Sequence, residues 1–199
     1  MRLRNKKTAE ALHYLLANSK ERKLSILLLL KLLFFADRHL LLHEGKTISN
    51  SKYVAMKLGP VSSRANNILY KKICYLNEDS DDYINNYFSF NYVTPKYNSL
   101  VSIKNISQYT SLSSFDKEAL NIALKIFKIE PNLCELSHKF YEWKKHESWV
   151  QEKINRSAKM DLLDCFDSSQ FPHFNNELDD IFVIDEKDLL LSKECYLGN

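Results

Sequence analysis

One very apolar stretch, residues 24–45, constrains the fold of this chain more than any other part of its sequence. It reads LSILLLLKLLFFADRHLLLHEG and is apolar on nearly every side over its first two thirds. A membrane span needs about 20 predominantly apolar residues, but Lys31 lies in the middle of this run and Asp37 and Arg38 interrupt it. We therefore predict a helix at the centre of a folded domain, covered by its neighbours, and no association with a membrane.

The rest of the sequence predicts a mainly α fold. Apolar residues at helical spacing over 8–18 predict a helix with Thr8 as its N-cap, and Gly45 is the expected C-cap of the apolar helix. Ser113, followed three residues later by Asp116, predicts a helix that opens with a capping box. We expect a compact helical domain around the central apolar helix (about 24–44).

Three further segments complete the predicted fold. Alternating apolar residues and strand-like segments predict a small β-hairpin at about 86–106. Gly59-Pro60 is expected to break the chain, with helical spacing resuming from Val61. Residues 146–165 are predicted to be helical, with a weak pattern.

Charge is distributed unevenly along the chain. Residues 1–160 contain 26 lysines and arginines against 15 acidic residues, a net charge of +11, whereas residues 161–199 contain 2 against 10, a net charge of −8. The sequence therefore divides into a domain at 1–158 and an acidic C-terminal extension at 159–199. The extension is expected to pack either on the basic body or on a partner.

The cysteines argue against a disulfide framework or a zinc ribbon. Cys74, Cys134, Cys165 and Cys195 are widely spaced and include no CxxC pair. Reduced thiols are the better interpretation, and we expect a cytoplasmic protein. The three glycines stand apart, so there is no glycine-rich phosphate loop. We expect no cofactor and no metal.

Two pairs of side chains could carry chemistry, but neither pattern is sufficient. His39 and His43 stand four residues apart, as half of a metal site would require, without a second cluster. Cys134 and His138 have the same spacing, but a nucleophilic pair also needs an orienting group and an oxyanion hole. The sequence thus favours ordinary histidines and a protein that is not an enzyme.

Asp37 and Arg38 follow the apolar run directly, so both are expected to be partly buried, and buried charges need partners. Adjacent residues on a helix point about 100° apart. We therefore predict that each clamps a different element. A structural clamp on the segment 53–61 is favoured over direct contact with a ligand.

Nucleic-acid binding stays open as an alternative function. Basic residues alternate with aromatic ones at 70–75 and 139–145, although such runs are usually solvated helix faces. The alternative is a DNA-binding transcriptional regulator of a phage or mobile-element operon, whose binding would weaken steeply with salt.

Residues 31–61 and 133–144 together resemble the signature of the SocA-like antitoxin family, whose members carry a Panacea domain and occur in toxin–antitoxin operons of bacteria and phages. The residues that carry the resemblance or shape the domain are Lys31, Asp37, Arg38, Tyr53, Met56, Gly59, Pro60, Val61, Ser137, His138 and Trp143. The chain departs from the family at Thr47, where proline is common, and at Ser49-Asn50, where glycine is common. His39 replaces a frequent aromatic residue.

The resemblance implies a mainly helical domain with a small β element and an antitoxin that neutralises a cognate protein toxin by direct binding. The toxin would be encoded by the adjacent gene. Family membership brings no catalytic residues. The motif residues would then shape the domain, and the partner surface would lie on the outer helices and the acidic tail.

Overall fold

The computed structural model describes residues 2–70, 88–91, 98–103, 108–152, 157–174 and 177–198. The fold is mainly α with small antiparallel sheets. The helices are α1 (Arg2–Asn18), α2 (Ile26–Glu44), α3 (Ser63–Leu69), α4 (Ser114–Ile129), α5 (Leu133–His138), α6 (Tyr141–Lys144), α7 (Glu147–Glu152), α8 (Glu177–Phe182) and α9 (Glu186–Leu197). Two 3₁₀ turns, Leu162–Phe166 and Ser168–Gln170, lie between α7 and α8.

Helix α2 lies among the other elements, and fourteen of its nineteen residues are buried. Its N-cap is Ser25, whose side chain accepts a hydrogen bond from the Leu28 amide at 3.2 Å. It ends at Gly45, which has a left-handed φ of 63° and donates its amide to the Leu41 carbonyl at 2.9 Å, as predicted. Helices α1, α4, α5 and α9 and strand β3 (Gly59–Ser62) all contact it. None of the described helices is both long enough and apolar enough to cross a membrane.

Two three-stranded antiparallel sheets flank the helices. In the first, β5 (Leu100–Ile103) pairs with β1 (Lys23–Ser25) on one side and β4 (Phe88–Asn91) on the other. The predicted hairpin at 86–106 falls partly outside the described residues, including its connection at 92–97.

The second sheet has the order β3-β2-β6, with β2 spanning Tyr53–Met56 and β6 spanning Ser157–Lys159. Val54 stands opposite Val61 on one side and Lys159 on the other. Strand β6 therefore connects the start of the C-terminal segment to the β2–β3 hairpin, across the boundary predicted at residue 158.

Two predicted helix starts were wrong. Helix α1 begins at Arg2, so Thr8 is inside the helix and donates its hydroxyl to the Arg4 carbonyl at 3.0 Å. The apolar pattern starts only at Ala9, but the charged residues before it are good helix formers. Pro60 lies within β3, and the next helix starts at Ser63 rather than Val61, capped by the Ser62 side chain.

Residues 146–165 are not one helix, because α7 is followed by β6 and a 3₁₀ turn. Strand β6 pairs with the edge of β2. A strand of three residues carries no periodic pattern that would predict this pairing from the sequence. The Ser113–Asp116 capping box of α4, in contrast, is present as predicted.

The C-terminal helices pack on the rest of the chain. Leu178, Ile181 and Phe182 of α8 belong to the main hydrophobic core. Leu189 of α9 joins a second cluster with Leu41 of α2 and several neighbours. Helix α9 comes close to Gly45, where an added Cβ would overlap the Ser192 carbonyl oxygen of α9 and lie 2.6 Å from the Cys195 Cβ.

Candidate functional site

Helix α2 places three charged side chains in the interior. Lys31, Asp37 and Arg38 are 0%, 2% and 3% exposed. A buried charge is costly unless it has hydrogen-bonding or ionic partners. Each of these three residues makes hydrogen bonds to partners that the others do not share.

Lys31 contacts the β2–β3 hairpin. Its Nζ donates to the Pro60 carbonyl oxygen at 2.9 Å. Burial lowers the pKa of Lys31 to about 7, against a smaller opposite effect of Cys134. Gly59 permits this approach, because its φ is +101° and an added Cβ would overlap Ser137 Oγ and lie 2.6 Å from Lys31 Nζ.

Asp37 holds the turn that leads into β2. Its carboxylate accepts hydrogen bonds from the Ser49 amide at 3.1 Å, from the Ser49 hydroxyl and from the Tyr53 hydroxyl at 2.7 Å. Burial raises the pKa of Asp37, while the bonds from Ser49 and Tyr53 act in the opposite direction. Three donors on one carboxylate fix Ser49 and Tyr53 relative to α2.

Arg38 points to a different element from its neighbour, as helix geometry requires. Its Nε donates to Glu142 Oε1 of α6 at 2.7 Å, and both side chains are buried. The guanidinium carbon lies 4.2 Å from the centre of the Phe140 ring, which is a cation–π contact. Arg38 thus joins α2 to α6, and of the three buried charges it is Asp37 and Lys31 that contact residues at or near segment 53–61.

Three more motif residues lie in helices α5 and α6 and contact the same region: Ser137, His138 and Trp143. Trp143 Nε1 donates to the Met56 carbonyl at 2.9 Å. The His138 ring stacks on Trp143 with centroids 3.8 Å apart and planes 10° from parallel. The Ser137 hydroxyl donates to the Cys134 carbonyl at 2.7 Å, beside Gly59. Val61 is buried on β3.

Most of the motif residues therefore gather around the β2–β3 hairpin in the interior, whereas Arg38 joins α2 to α6. The polar groups of Lys31, Asp37 and Arg38 make hydrogen bonds within the domain.

The two pairs with possible catalytic or metal chemistry are poorly arranged for it. Burial raises the pKa of the Cys134 thiol, whereas a nucleophilic cysteine needs a lowered one. The His39 and His43 rings lie 4.2 Å apart, and burial, with the neighbouring His43, lowers the pKa of His39 to about 4. No cluster of three or more metal-ligating side chains occurs within the described part of the chain.

Sequence reasoning missed Ser49, Arg64 and Glu142. Arg64 Nε donates to the Ser49 carbonyl at 3.1 Å, so a chain of contacts runs from buried Asp37 through Ser49 to Arg64. Glu142 lies in a stretch rich in lysine and acidic residues, which is typical of a solvated helix. No local signal distinguishes it from surface glutamates, because its partner is 104 residues away.

A comparison with family models gives one match, a model described as antitoxin SocA-like, Panacea domain, over residues 29–144. That span covers more than half of the chain and contains all but the first three residues of α2, the β2–β3 hairpin and helices α4 to α6. Strand β6 and helices α8 and α9 lie beyond it. No curated protein and no solved structure matches the chain.

Proposed function

Since the chain belongs to the SocA-like antitoxin family with a Panacea domain, we propose that it neutralises a cognate protein toxin by binding it directly. Neutralisation of this kind occludes the active or target-binding surface of the toxin and needs no catalytic group in the antitoxin. The toxin is expected to be encoded by the adjacent gene.

The observation that carries this proposal is an exposed apolar surface on the C-terminal helix α9. Leu190, Leu191 and Leu197 are 59%, 61% and 63% exposed. Leu190 and Leu197 stand seven residues apart and therefore lie on one face of the helix, next to Leu191. Single exposed leucines are common, but three on one short helix form a patch of the kind that marks protein interfaces.

The charge around this patch indicates what kind of surface would cover it. Residues 177–198 contain seven acidic residues and two lysines, a net charge of −5. A partner with an apolar centre and a basic rim would be complementary to it. Toxins that act on nucleic acids or nucleotides commonly need a basic substrate surface, and an acidic helix would compete for it.

The burial of the motif residues supports a toxin surface elsewhere on the chain. Lys31, Asp37 and Arg38 use their polar groups within the domain, so they are unsuited to direct contact with a partner. The patch lies outside the span that matches the family model. We infer that the shared domain is the scaffold and that the C-terminal segment supplies specificity for the toxin.

The absence of catalysis is part of the same proposal. It is supported by the raised pKa of Cys134 and by the stacking of His138 on Trp143 rather than on the thiol. We expect Cys134→Ala to leave toxin binding and neutralisation unchanged.

Co-expression tests the proposal. The full-length chain should co-purify with the product of the adjacent gene and restore growth to cells that express it. A variant with both Leu190→Asp and Leu191→Asp should weaken binding at least about a hundredfold, since it places two charges in the centre of the interface. The matched control is Phe115→Asp, because Phe115 is an exposed hydrophobic residue at the start of α4.

The variants must first be shown to fold. Thermal unfolding would verify that all three substitutions leave the fold intact. A chain that neither binds nor rescues would refute the antitoxin proposal. Binding that is equally strong in the double leucine variant would place the interface elsewhere on the molecule.

A further inference from the structure

A cleft rich in basic residues lies on the side of the domain where α1, α3 and β6 meet. Its volume is about 850 Å³. The turn before β2 and Tyr196 of α9 complete its wall. Cavities of this size are typical of sites for small molecules. The lining includes none of the exposed leucines of α9.

Four cations line the cleft. They are Arg4, Lys52, Arg64 and Lys159. None of them is among the ion pairs formed between described residues. One carboxylate, Asp161, also lines the cleft, so the four cations and this carboxylate give the lining a net charge of +3.

Arg4 and Arg64 are close enough to repel each other. Burial, and then the charge of Arg4, lowers the pKa of Arg64. A concave surface with an excess of like charges concentrates anions from solution. The positive charge gathered here would be relieved by a ligand that carries several negative charges.

Arg64 is held in place before any ligand arrives. Its guanidinium donates from Nε to the Ser49 carbonyl at 3.1 Å, from one terminal nitrogen to Asn5 Oδ1 at 2.6 Å, and from the other to the Asn50 carbonyl at 3.4 Å. Ser49 is itself fixed by buried Asp37. A guanidinium has five N–H donors, so the hydrogen bonds between described residues leave two for an anion.

The remaining lining suits more than a simple anion. Side chains of Asn5, Asn50 and Asn67 offer amide donors and acceptors, and Met160 and Tyr196 supply apolar surface. Arginine recognises phosphate oxygens with paired, directional hydrogen bonds. We propose that this cleft binds a phosphate-bearing small molecule of nucleotide size, with Arg4, Arg64, Lys52 and Lys159 around its phosphates and the asparagines around its polar ring edges.

Calorimetry and thermal unfolding of the full chain test the site. The probes are ATP, GTP, AMP, inorganic phosphate and adenosine. ATP or GTP should raise the melting temperature and bind more tightly than inorganic phosphate, and adenosine should not bind. The combined substitutions Lys52→Gln and Lys159→Gln, both exposed, should weaken nucleotide binding at least about tenfold, because two charge-assisted contacts are lost.

The matched control is the combined substitution Lys125→Gln with Lys144→Gln, because both lysines are exposed, lie outside the cleft and remove the same two charges. It should leave affinity within about twofold, since it removes only remote, screened charge. An equal loss in the control would show non-specific attraction and overturn the proposal.

Three other results would overturn the assignment. The first is an absence of binding and of stabilisation by every phosphate-bearing probe at millimolar concentration. The second is equal affinity for ATP and inorganic phosphate, which would reduce the site to a simple anion site. The third is binding of a single-stranded oligonucleotide without binding of mononucleotides, which would make this surface a nucleic-acid contact.

Discussion

Arg38 and Glu142 form a buried ion pair that joins helix α2 to helix α6, with Arg38 Nε 2.7 Å from Glu142 Oε1. The aromatic ring of Phe140 covers the guanidinium from one side. Such a pair stabilises a fold only while both members are present, because each charge is out of water.

Removing one partner of this pair should therefore be severe. We expect Glu142→Leu to lower the free energy of unfolding by about 3–5 kcal/mol, since it leaves a buried guanidinium without a counter-charge. The double variant Arg38→Met with Glu142→Leu should lose less than Glu142→Leu alone. Urea denaturation of the single and double variants measures this. A double variant that is the least stable of the set would contradict the explanation.

The Tyr53 hydroxyl donates to Asp37 at 2.7 Å in the interior. We expect Tyr53→Phe to lower the free energy of unfolding by about 1.5–3 kcal/mol, the range for hydrogen bonds to charged groups. Tyr141→Phe is the control, because the Tyr141 hydroxyl makes no hydrogen bond to another described residue, and it should change stability by less than about 0.5 kcal/mol. Equal losses in the two variants, again by urea denaturation, would rule out a special role for the bond.

Gly45 both ends α2 and allows α9 to approach. We expect Gly45→Ala to destabilise the protein by at least about 1–2 kcal/mol, because a left-handed residue gains a Cβ that would overlap the Ser192 backbone of α9. Hydrogen exchange should show the loss of protection concentrated in Glu186–Leu197.

Gly198→Ala offers the comparison for that variant. Gly198 has a right-handed φ of −83°, and an added Cβ there would find its nearest neighbour at 3.5 Å. This substitution should be tolerated. If α9 kept its protection in Gly45→Ala, the close approach at Gly45 would not control the docking of this helix.

The buried amine of Lys31 should give stability a characteristic pH dependence. Its pKa is about 7 in the folded chain and about 10.4 when unfolded. Between these values the unfolded chain binds more protons, so the free energy of unfolding should rise with pH, by up to about 1.4 kcal/mol per unit. Below about pH 7 both states are protonated and this contribution becomes constant.

Lys31→Met removes the titrating group and should flatten this rise. Urea denaturation of both proteins from pH 6 to 8.5 measures the difference. Lys31 also lowers the pKa of Cys134 and of His138, so the same comparison is made with Cys134→Ala and His138→Gln in both proteins, which attributes the remaining difference to Lys31. Parallel pH profiles would mean that Lys31 does not lose its proton in this range.

Much of the fold could be predicted where the signal is local. The Ser113–Asp116 capping box and the Gly45 C-cap were recognised because each depends on residues a few positions apart. Thr8 was misassigned as a cap because the helix extends through charged residues that carry no apolar pattern. Gly59-Pro60 was interpreted as a break, but these residues pair with β2, which requires a partner strand.

The candidate sites, too, could be predicted only where the signal is local in the sequence. The motif residues were recognised by type and spacing, but their partners were not. Arg64 and the basic cleft gave no signal in the sequence, since α1, α3 and β6 become neighbours only in the folded chain.

By itself, the sequence determined that α2 must be buried and that its charges must find partners. An apolar surface on every side excludes water, and an unpaired charge inside is too costly to persist. Only the tertiary structure decided which partners those are: Ser49 and Tyr53 for Asp37, and Glu142 for Arg38. The physical reason is that a hydrogen bond depends on distance and direction in space. Residues 12, 16 and 104 positions apart acquire both only when the chain has packed around α2.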